Sequence, residues 1–232
     1  MDVVVVTGAG QGLGRALAFQ WASSAYPVIA VIRNPNQRSE LEAFCPLIEV
    51  LIADITSGDY SDLLRQQLQN RSVCLVINNA GSGSQGRNLP SVTADQLVNE
   101  FNTHCVGALV TVNTALDGLR RAKKACVLNI SSRRGSLTMQ AEGAALGSQC
   151  SYSYRIGKAA QNMLTLCMTD DLQSYGIDVY AIHPGRVATK MVAAEACFTA
   201  GQAALKIFES WQGDNLLLRQ LFSLESEKVL PW

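Results

Sequence analysis

The amino-acid sequence predicts an α/β fold, a single doubly wound domain with a mostly parallel sheet of seven strands. Short apolar runs recur along the chain with longer amphipathic segments between them, which is typical of strands joined by crossover helices. Most of these runs lack the apolar–polar alternation of a half-exposed sheet, so we expect helices on both faces. The predicted strands are Val3–Val6, Val28–Ile32, Ile48–Ile52, Val73–Ile77, Val127–Ile130, Ile177–Ile182 and a seventh near Arg219–Leu224.

The segments between the strands carry the signals of helices. They predict helices over 12–24, 57–70, 93–117 and 151–175, each long enough to cross between parallel strands. Thr93, followed by Asp95 and Gln96, has the sequence of a helix start, and Ser151 precedes the last segment in the same way. Gly176 then favours a left-handed helix end just before the sixth strand.

Length and composition favour one globular domain over residues 1–232. The chain is 48% hydrophobic and 16% charged, which excludes a disordered protein. Nineteen basic residues balance nineteen acidic ones, so no net charge attracts nucleic acid or an anionic membrane. No apolar run reaches the length of a membrane span, and the short N-terminal run has no basic leader. We therefore expect neither nucleic acid nor a membrane as a partner.

The cysteines indicate a reducing environment. Seven are present, an odd number with no C-x-x-C pair, and the chain has only two histidines, so neither a disulfide framework nor a metal site is expected. Several lie within apolar runs, as Cys74 and Cys126 do, where a free thiol packs as a small hydrophobic group. These features favour a cytoplasmic protein.

The first strand leads into a glycine-rich turn and then into the first helix. Glycines let the backbone turn tightly and approach a pyrophosphate, while the free N–H groups and the positive dipole of the helix start attract its charge. The sequence therefore predicts a dinucleotide site here, and the alternative is a glycine-rich turn without a ligand. The residues of this site are Gly8, Gly10, Gln11, Gly12, Leu13 and Gly14.

The end of the second strand indicates which dinucleotide binds. In dinucleotide-binding folds an acid near this point binds the ribose 2′-hydroxyl, whereas an arginine accommodates a 2′-phosphate. The chain has Arg33 at this point and no acid before Glu40. Because a guanidinium forks onto phosphate oxygens, we predict NADP(H) as the preferred cofactor, with NAD(H) as second choice. The alternative is that Arg33 is a solvated surface residue.

Two further strands end in polar residues at the edge where open α/β sheets bind ligands. Asp54 follows the third strand and is a candidate acceptor for the amine of adenine, with Ile55 covering the ring. Asn78 ends the fourth strand and is a candidate tie to a neighbouring strand. Since Asp and Asn are equally suited to turns and helix caps, that alternative stays open for both residues.

The catalytic candidates lie farther along the chain. Ser131 and Ser132 end the fifth strand, and Tyr154 and Lys158 lie four residues apart in the last predicted helix. At that spacing both side chains leave one face of the helix as neighbours. A phenol is a poor acid–base catalyst at neutral pH unless a nearby cation stabilises its phenolate, and Lys158 is placed to supply that cation.

In their order and spacing these residues resemble the short-chain dehydrogenase/reductase family, and the resemblance spans nearly the whole chain. The motifs are similar to the cofactor loop (Thr7-Gly8-x-x-x-Gly12-x-Gly14), the fourth-strand motif (Asn78-Asn79-Ala80-Gly81), the catalytic pair (Tyr154-x-x-x-Lys158) and the nicotinamide-side loop (Pro184-Gly185-x-x-x-Thr189). The stretch Tyr152–Arg155, His183-Pro184-Gly185 and the closing Pro231-Trp232 are further similar to a subgroup of sniffer-type carbonyl reductases and bacterial C-factor-like proteins.

The resemblance implies a Rossmann-like fold and hydride transfer from NADPH to the carbonyl group of a small molecule. Tyr154 would donate a proton to the carbonyl oxygen, Ser132 would hydrogen-bond that oxygen, and Lys158 would hold the nicotinamide ribose and lower the pKa of Tyr154. Ser132 is chosen because it lies 22 residues before Tyr154 and is followed by Arg133-Arg134-Gly135 as in the subgroup; Ser131 is the fallback. The cofactor contacts implied by the resemblance also include Asn79, Ala80, Gly81, Tyr154, Lys158, Pro184, Gly185, Val187 and Thr189.

One position departs from the family pattern. The family usually has an asparagine in its fourth helix, in an N-x-x-G pattern, where it helps a water connect the lysine to solvent. This chain has His104-Cys105-Val106-Gly107 instead. Because an imidazole both donates and accepts hydrogen bonds, we predict that His104 acts in a pH-sensitive proton relay. A packing role without effect on turnover and a loss of efficient turnover stay open.

The sequence therefore predicts an NADPH-dependent reductase of aldehydes, ketones or quinones. The alternative is a signalling or regulatory protein of C-factor type that binds nucleotide with little turnover. Arg134 and Arg186 lie near the predicted pocket mouth, where they either attract an acidic substrate or bind backbone carbonyls. By analogy with the family we expect a homodimer formed through 93–117 and 151–175.

Overall fold

The strands form one continuous sheet. The computed structural model describes residues 2–83, 85–148, 150–187 and 197–232. The strands in chain order are β1 Val3–Thr7, β2 Val28–Ile32, β3 Ile48–Ile52, β4 Val73–Asn78, β5 Ala125–Ile130, β6 Ile177–His183, β7 Leu221–Ser223 and β8 Lys228–Leu230. Their order across the sheet is β3-β2-β1-β4-β5-β6-β7-β8, and every neighbouring pair is parallel except β7 and β8.

The observed strands confirm the predicted Rossmann-like α/β domain and add one strand to the sheet. Strands β1 to β6 begin and end within two residues of their predicted bounds, and β7 lies inside the predicted 219–224. The eighth strand, β8, returns antiparallel to β7 after a tight turn at Leu224–Glu227. It escaped prediction because three residues are too few to show a hydrophobic period.

Helices cover both faces of the sheet. They are α1 Gly12–Ser23, α2 Arg38–Phe44, α3 Tyr60–Leu68, α4 Ala94–Phe101, α5 Gly107–Arg121, α6 Leu137–Ala141, α7 Tyr152–Leu172 and α8 Ala200–Gln212. One apolar cluster joins α1, α2 and α8 to one face, and a second joins α3, α5 and α7 to the other face. Strand side chains alternate between the clusters, so the sheet has no wet face, as the continuous apolar runs predicted.

The helix starts follow the predicted signals. Thr93 Oγ1 accepts a hydrogen bond from the Gln96 backbone N–H, and the Gln96 side-chain oxygen accepts one from the Thr93 backbone N–H, which forms a capping box on α4. Ser151 accepts from the Tyr154 N–H at the start of α7. Gly176 has a φ of +69° and ends the short turn before β6.

The predicted helical stretch over 93–117 is present, but it is not a regular α-helix. Helix α4 continues into α5 through a π-helical segment over Asn102–Val106, where the backbone hydrogen bonds skip one residue more than in an α-helix. This wider turn changes which residues face the sheet. Helix α2 was not predicted because its seven residues are too few to show a helical period. Helix α8 was not predicted either.

The sheet topology defines the edge at which loops converge. Strand β1 pairs with β2 on one side and with β4 on the other, so the chain reverses its direction of winding between β1 and β4. The loops that follow β1, β4, β5 and β6 meet at the carboxyl edge beside this reversal, which is the ligand-binding position in open α/β sheets. Within the described part of the chain, no helix is both long and apolar enough to span a membrane.

Candidate active site

The glycine turn after β1 is fixed by contacts that leave no room for side chains. Gly8 has a φ of +66°, and a Cβ placed on it would lie 2.7 Å from the Cα of Ala80. A Cβ on Gly14 would lie 2.2 Å from the Gly8 carbonyl oxygen and 2.4 Å from Asn79 Nδ2. Only glycine therefore allows this turn to pack against the end of β4.

Hydrogen bonds fasten the same turn to β4. Thr7 Oγ1 accepts from the backbone N–H groups of Asn79 and Ala80, both at 3.1 Å. Asn79 Nδ2 donates to the carbonyl oxygens of Thr7 at 3.1 Å and Gly8 at 3.3 Å. Asn79 and Ala80 thus hold the turn in shape from the neighbouring strand.

The start of α1 has the properties of an anion site. Gln11 precedes the helix without a side-chain hydrogen bond to it, so no side chain caps the N–H groups of the first turn. Gly12 has a φ of +55° and open space around its Cα, while Leu13 is buried beneath it. Gln37 reaches over Gly10 from the loop after β2. The uncapped N–H groups and the open space fit a pyrophosphate.

The adenosine-side candidates lie together on the loops after β2 and β3. Arg33 is 82% exposed, and its Nη1 lies 3.7 Å from Asp54 Oδ2. Asp54 Oδ1 accepts from the N–H and the hydroxyl of Thr56, at 2.9 and 2.7 Å. Burial alone would raise the pKa of Asp54, but the Thr56 hydrogen bonds and the Arg33 charge hold it below its usual range. The turn-forming alternative for Asp54 is therefore present in the structure.

Two other residues of this region have partners within the protein. Ile55 is buried against Gly107 of α5, where a Cβ would lie 2.6 Å from Ile55 Cδ1. Glu40, the first acid after β2, forms an ion pair with Arg15 of α1. The first acid after β2 is thus engaged by an arginine.

A chain of buried hydrogen bonds that starts at Asn78 joins β4 to β5. Its Nδ2 donates to Asn129 Oδ1 at 2.8 Å, and Asn129 Nδ2 donates in turn to Thr165 Oγ1 of α7 at 2.9 Å. All three residues are buried. This chain ties two strands to the helix that carries Tyr154 and Lys158.

The two serines after β5 have different surroundings. Ser131 hydrogen-bonds Asn162 of α7, whose Nδ2 donates to the Gly135 carbonyl oxygen at 3.1 Å. Ser132 accepts a hydrogen bond from the Arg134 N–H at 3.1 Å and also hydrogen-bonds Tyr154. Ser131 is therefore held by the framework, and Ser132 is the serine that reaches the tyrosine.

Tyr154 and Lys158 are neighbours on α7. Lys158 Nζ lies 5.9 Å from the centroid of the Tyr154 ring and donates to the Ile130 carbonyl oxygen at 2.6 Å and to Gln161 Oε1 at 2.9 Å. Burial lowers the pKa of Lys158 to about 7, and the nearby Glu100 carboxylate opposes that shift.

The pKa of Tyr154 is raised, in the opposite direction to the prediction. Burial raises it to about 12, and the Ser132 hydrogen bond offsets part of the effect. The Lys158 ammonium points to the Ile130 carbonyl rather than to the phenol oxygen, so it is not the group that lowers the pKa of Tyr154. In this state the phenol holds its proton.

His104 lies in the π-helical segment with its ring edge against the face of Tyr154. The two ring centroids are 5.3 Å apart at an interplanar angle of 85°. His104 Nε2 is 2.9 Å from Glu100 Oε2 and 3.2 Å from the Ser82 carbonyl oxygen. Burial and the Lys158 charge lower the pKa of His104, and the hydrogen bond with Glu100 opposes them.

Glycines make room for this imidazole. A Cβ on Gly81 would lie 2.8 Å from His104 Cε1, and one on Gly157 would lie 3.1 Å from His104 Cδ2. His104 Nδ1 is buried and has no hydrogen-bond partner among residues 2–83, 85–148, 150–187 and 197–232. The ring is thus enclosed with Nε2 against the Ser82 carbonyl and the Glu100 carboxylate, and with Nδ1 open to accept.

Glu100 is the buried residue that sequence reasoning missed. It is 2% exposed, although a carboxylate is rarely buried without a partner. Its position four residues before His104 was a usable signal, since an i,i+4 pair of acid and imidazole meets on one helix face. The interpretation of 93–117 as a regular helix placed the emphasis on His104 alone.

The loop after β6 is described only in part. Pro184 and Gly185 lie at the carboxyl edge, with Gly185 at a φ of +84°, and Val187 is buried and paired with Phe198. The predicted cofactor contact Thr189 lies outside the described residues. No group of His, Cys, Asp and Glu side chains within the described ranges has the arrangement of a metal site.

The structure brings the sequence-predicted residues into two adjoining groups. Gly8–Gly14, Asn79 and Ala80 surround the start of α1, and Arg33 with Asp54 lies beyond them. Ser132, Tyr154, Lys158 and His104 meet at the ends of β4 and β5.

Comparisons with known proteins identify the family of the chain. The family model for short chain dehydrogenases matches residues 2–197. The C-signal protein of Myxococcus xanthus is 34% identical over 128 residues, covering 55% of this chain and 74% of that protein. The 1-hydroxy-2-glutathionyl-2-methyl-3-butene dehydrogenase of Rhodococcus sp. (strain AD45) is 30% identical over 193 residues, covering 82% of this chain and 80% of that protein.

Solved structures share the fold. The NADPH-bound carbonyl reductase from chicken fatty liver superposes with a TM-score of 0.85 at 24% identity, covering 100% of both chains. The carbonyl reductase Sniffer of Drosophila melanogaster superposes with a TM-score of 0.84 at 22% identity, covering 100% of this chain and 99% of the other. At these identities the likeness is one of architecture.

Proposed function

The chain belongs to the short-chain dehydrogenase/reductase family of NAD(P)-dependent oxidoreductases, and from that premise we propose that it is an NADPH-dependent reductase of small aldehydes, ketones or quinones. The observation that carries this proposal is the meeting of Ser132, Tyr154 and Lys158 beside an uncapped helix start. A proton donor, an oxygen-binding hydroxyl and a buried cation are the groups that carbonyl reduction requires.

The residues at the glycine turn fit a dinucleotide phosphate. Gly8, Gly12 and Gly14 form a cradle that a Cβ would fill or strain, and the first N–H groups of α1 are open to an anion. In the proposal Arg33 binds the 2′-phosphate, which is the basis for preferring NADP(H) over NAD(H). Two features support it: Arg33 is exposed at the right strand end, and Glu40 is paired with Arg15.

Further residues complete the proposed cofactor site. Asp54, Ile55 and the chain from Asn79 to Gly81 border the adenosine side, and Pro184, Gly185 and Val187 border the nicotinamide side. Thr189, which lies outside the described residues, is assigned to the nicotinamide side by the family resemblance alone. Lys158 holds the nicotinamide ribose. When bound, NADPH supplies the hydride.

Tyr154 acts as the general acid in the proposed reaction. Its raised pKa keeps the proton on the phenol until negative charge develops on the carbonyl oxygen of the substrate, which then accepts it. Ser132 donates a hydrogen bond to the same oxygen and so stabilises the developing alkoxide. The reaction converts the carbonyl to an alcohol and leaves Tyr154 as a phenolate beside the Lys158 ammonium.

His104 and Glu100 serve the return of the proton to Tyr154. His104 Nε2 lies against two acceptors, the Ser82 carbonyl oxygen at 3.2 Å and Glu100 Oε2 at 2.9 Å, which fixes the imidazole as the tautomer whose Nδ1 accepts. An accepting nitrogen next to Tyr154 and near Lys158 provides the relay that an asparagine provides in most of the family. Glu100 is a positioning residue in this scheme because it acts through His104.

A signalling function of C-factor type is the second candidate. It is favoured by one observation, the 34% identity to the C-signal protein over 128 residues. It predicts nucleotide binding with little turnover, whereas the reductase predicts both.

Two expectations complete the proposal. A homodimer through α4, α5 and α7 is supported by exposed apolar side chains on those helices, namely Val98, Phe101, Leu109, Ile156 and Met163. A cytoplasmic location is supported by the cysteines, all seven of which are free thiols in a chain that forms no disulfide.

The test is NADPH consumption by the pure protein over a panel of aldehydes, ketones and quinones, with Tyr154→Phe beside the wild type. We expect turnover in the wild type and a loss of about 1,000-fold in the variant, while calorimetry shows NADPH binding to both. The serine is tested in the same assay: Ser132→Ala lowers turnover and Ser131→Ala serves as the matched control. NADPH binding without reduction of any compound favours the signalling candidate.

A further inference from the structure

A small cavity opens beside Ser132. It has a volume of about 70 Å³ and lies between the turn Arg133–Gly135 and helix α6. Its lining includes Arg133, Arg134, Ser136, Met139, Gln140 and Ala144. The backbone N–H of Arg134 donates to Ser132 Oγ, and the Arg134 charge acts on Tyr154, so the cavity adjoins the reaction centre.

The arginines near this cavity differ in their engagement. Arg134 Nη1 donates to the Ala144 carbonyl oxygen at 2.8 Å, and Arg186 pairs with Glu225 at 2.9 Å. These are the two arginines that the sequence suggested for an acidic substrate: Arg186 is neutralised by Glu225, and Arg134 has one of its N–H groups engaged by a neutral carbonyl. The partly buried guanidinium of Arg133 forms no hydrogen bond or ion pair with any residue that the structure describes.

The other polar groups of the cavity are left as donors. Gln140 Oε1 accepts from Arg155 Nη1 at 3.0 Å, so its carbonyl oxygen is used and its amide N–H groups are not. Ser136 Oγ accepts from the Met139 N–H at 3.0 Å, which leaves its hydroxyl proton to donate. None of the lining residues is an acid. The cavity therefore offers positive charge and hydrogen-bond donors without a competing carboxylate.

We propose that this cavity binds a carboxylate group of the substrate through Arg133, so that the favoured substrates are small carbonyl compounds carrying a carboxylate. A planar guanidinium matches a carboxylate with two parallel hydrogen bonds. A cavity of about 70 Å³ has room for a group of this size. This inference rests on the proposed reductase function for the identity of the ligand as a substrate.

Binding is measured first, because it does not depend on turnover. Benzoate and its neutral isostere benzamide are titrated calorimetrically into the protein saturated with NADPH. We expect benzoate to bind about 10-fold more tightly than benzamide, and the ratio to fall to about one in Arg133→Gln. Arg133→Lys restores part of the ratio, and Arg65→Gln, on exposed α3, leaves it unchanged.

Turnover is measured second, with 4-formylbenzoate and its methyl ester. We expect the ratio of their kcat/KM values to favour the acid by about 10-fold through KM, and to collapse in Arg133→Gln. Gln140→Glu places a negative charge in the cavity, which repels the carboxylate of 4-formylbenzoate and lowers the same ratio.

The two measurements separate the two hypotheses. Equal binding of benzoate and benzamide, or a preference that persists in Arg133→Gln, overturns the carboxylate site whether or not aldehydes are reduced. Selective binding of benzoate without reduction of any aldehyde keeps the site and overturns the reductase function.

Discussion

The nucleotide side of the site is built mainly from backbone groups, and the proposed catalytic side is built from side chains. On the nucleotide side the turn from Gly8 to Gly14 offers backbone N–H groups, and hydrogen bonds between Thr7 and the Asn79–Ala80 segment help to fix its shape. On the proposed catalytic side, charged side chains such as Glu100 and Lys158 are buried and shift the pKa values of their neighbours. The nucleotide side depends on the absence of side chains at its glycines. The catalytic side depends on the positions of charged side chains that come from several elements.

The largest effect that distinguishes the two sides is expected from Gly14→Ala. The new Cβ would meet the Gly8 carbonyl oxygen and Asn79, and neither can withdraw without opening the turn. We expect the free energy of unfolding to fall by about 3 kcal/mol and NADPH affinity to fall roughly 100-fold, as read by denaturant unfolding and calorimetry.

Gly201→Ala is the matched control for that change. Gly201 lies in the first turn of α8, and a Cβ there meets nothing within 4 Å. Stability should hold or rise by about 0.5 kcal/mol. Equal losses in the two variants would contradict the steric explanation.

A smaller effect, confined to the catalytic side, is expected from Glu100→Gln. The carboxylate raises the pKa of Lys158 against burial, so its removal allows that pKa to fall further below its value near 7. The Lys158 cation is lost as pH rises through its pKa. The alkaline limb of kcat/KM against pH should therefore move to lower pH, with kcat reduced about 10-fold at neutral pH and NADPH affinity unchanged.

Two companion variants keep this prediction specific. Asp95→Asn removes the same charge from an exposed position of α4 and should not move the limb. His104→Ala keeps the charge of Glu100 and removes the imidazole without supplying the asparagine that serves most of the family. If neither Glu100→Gln nor His104→Ala alters turnover or its pH profile, the relay is excluded.

The smallest effect is expected from Arg33→Ala on the nucleotide side. Arg33 is exposed, so solvent and salt screen its attraction for a phosphate. We expect the preference for NADPH over NADH to drop about 5- to 10-fold, measured as the ratio of dissociation constants, with affinity for NADH nearly unchanged. Arg38→Ala, another exposed arginine nearby, is the control, and an unaltered preference in Arg33→Ala would remove its assignment to the 2′-phosphate.

The sequence was informative in proportion to how local each feature is. The glycine turn and strands β1 to β6 were predictable because a few neighbouring residues determine them. The i,i+4 spacing of Glu100 and His104 is visible in the sequence, but the burial of the pair is not, because it depends on the π-helical segment, and a single extra residue in a helical turn leaves no hydrophobic signature. Likewise, only the loop conformations decide that Arg134 is engaged and Arg133 is not.

The antiparallel strand β8 forms the edge of the sheet beyond β7. Exposed sheet edges invite strands from other molecules to add on, and a short strand with a lysine discourages this. Strand β8 has three residues, begins with the exposed Lys228 and faces opposite to the strand it covers. This edge of the sheet is therefore poorly suited to pairing with a strand from another molecule.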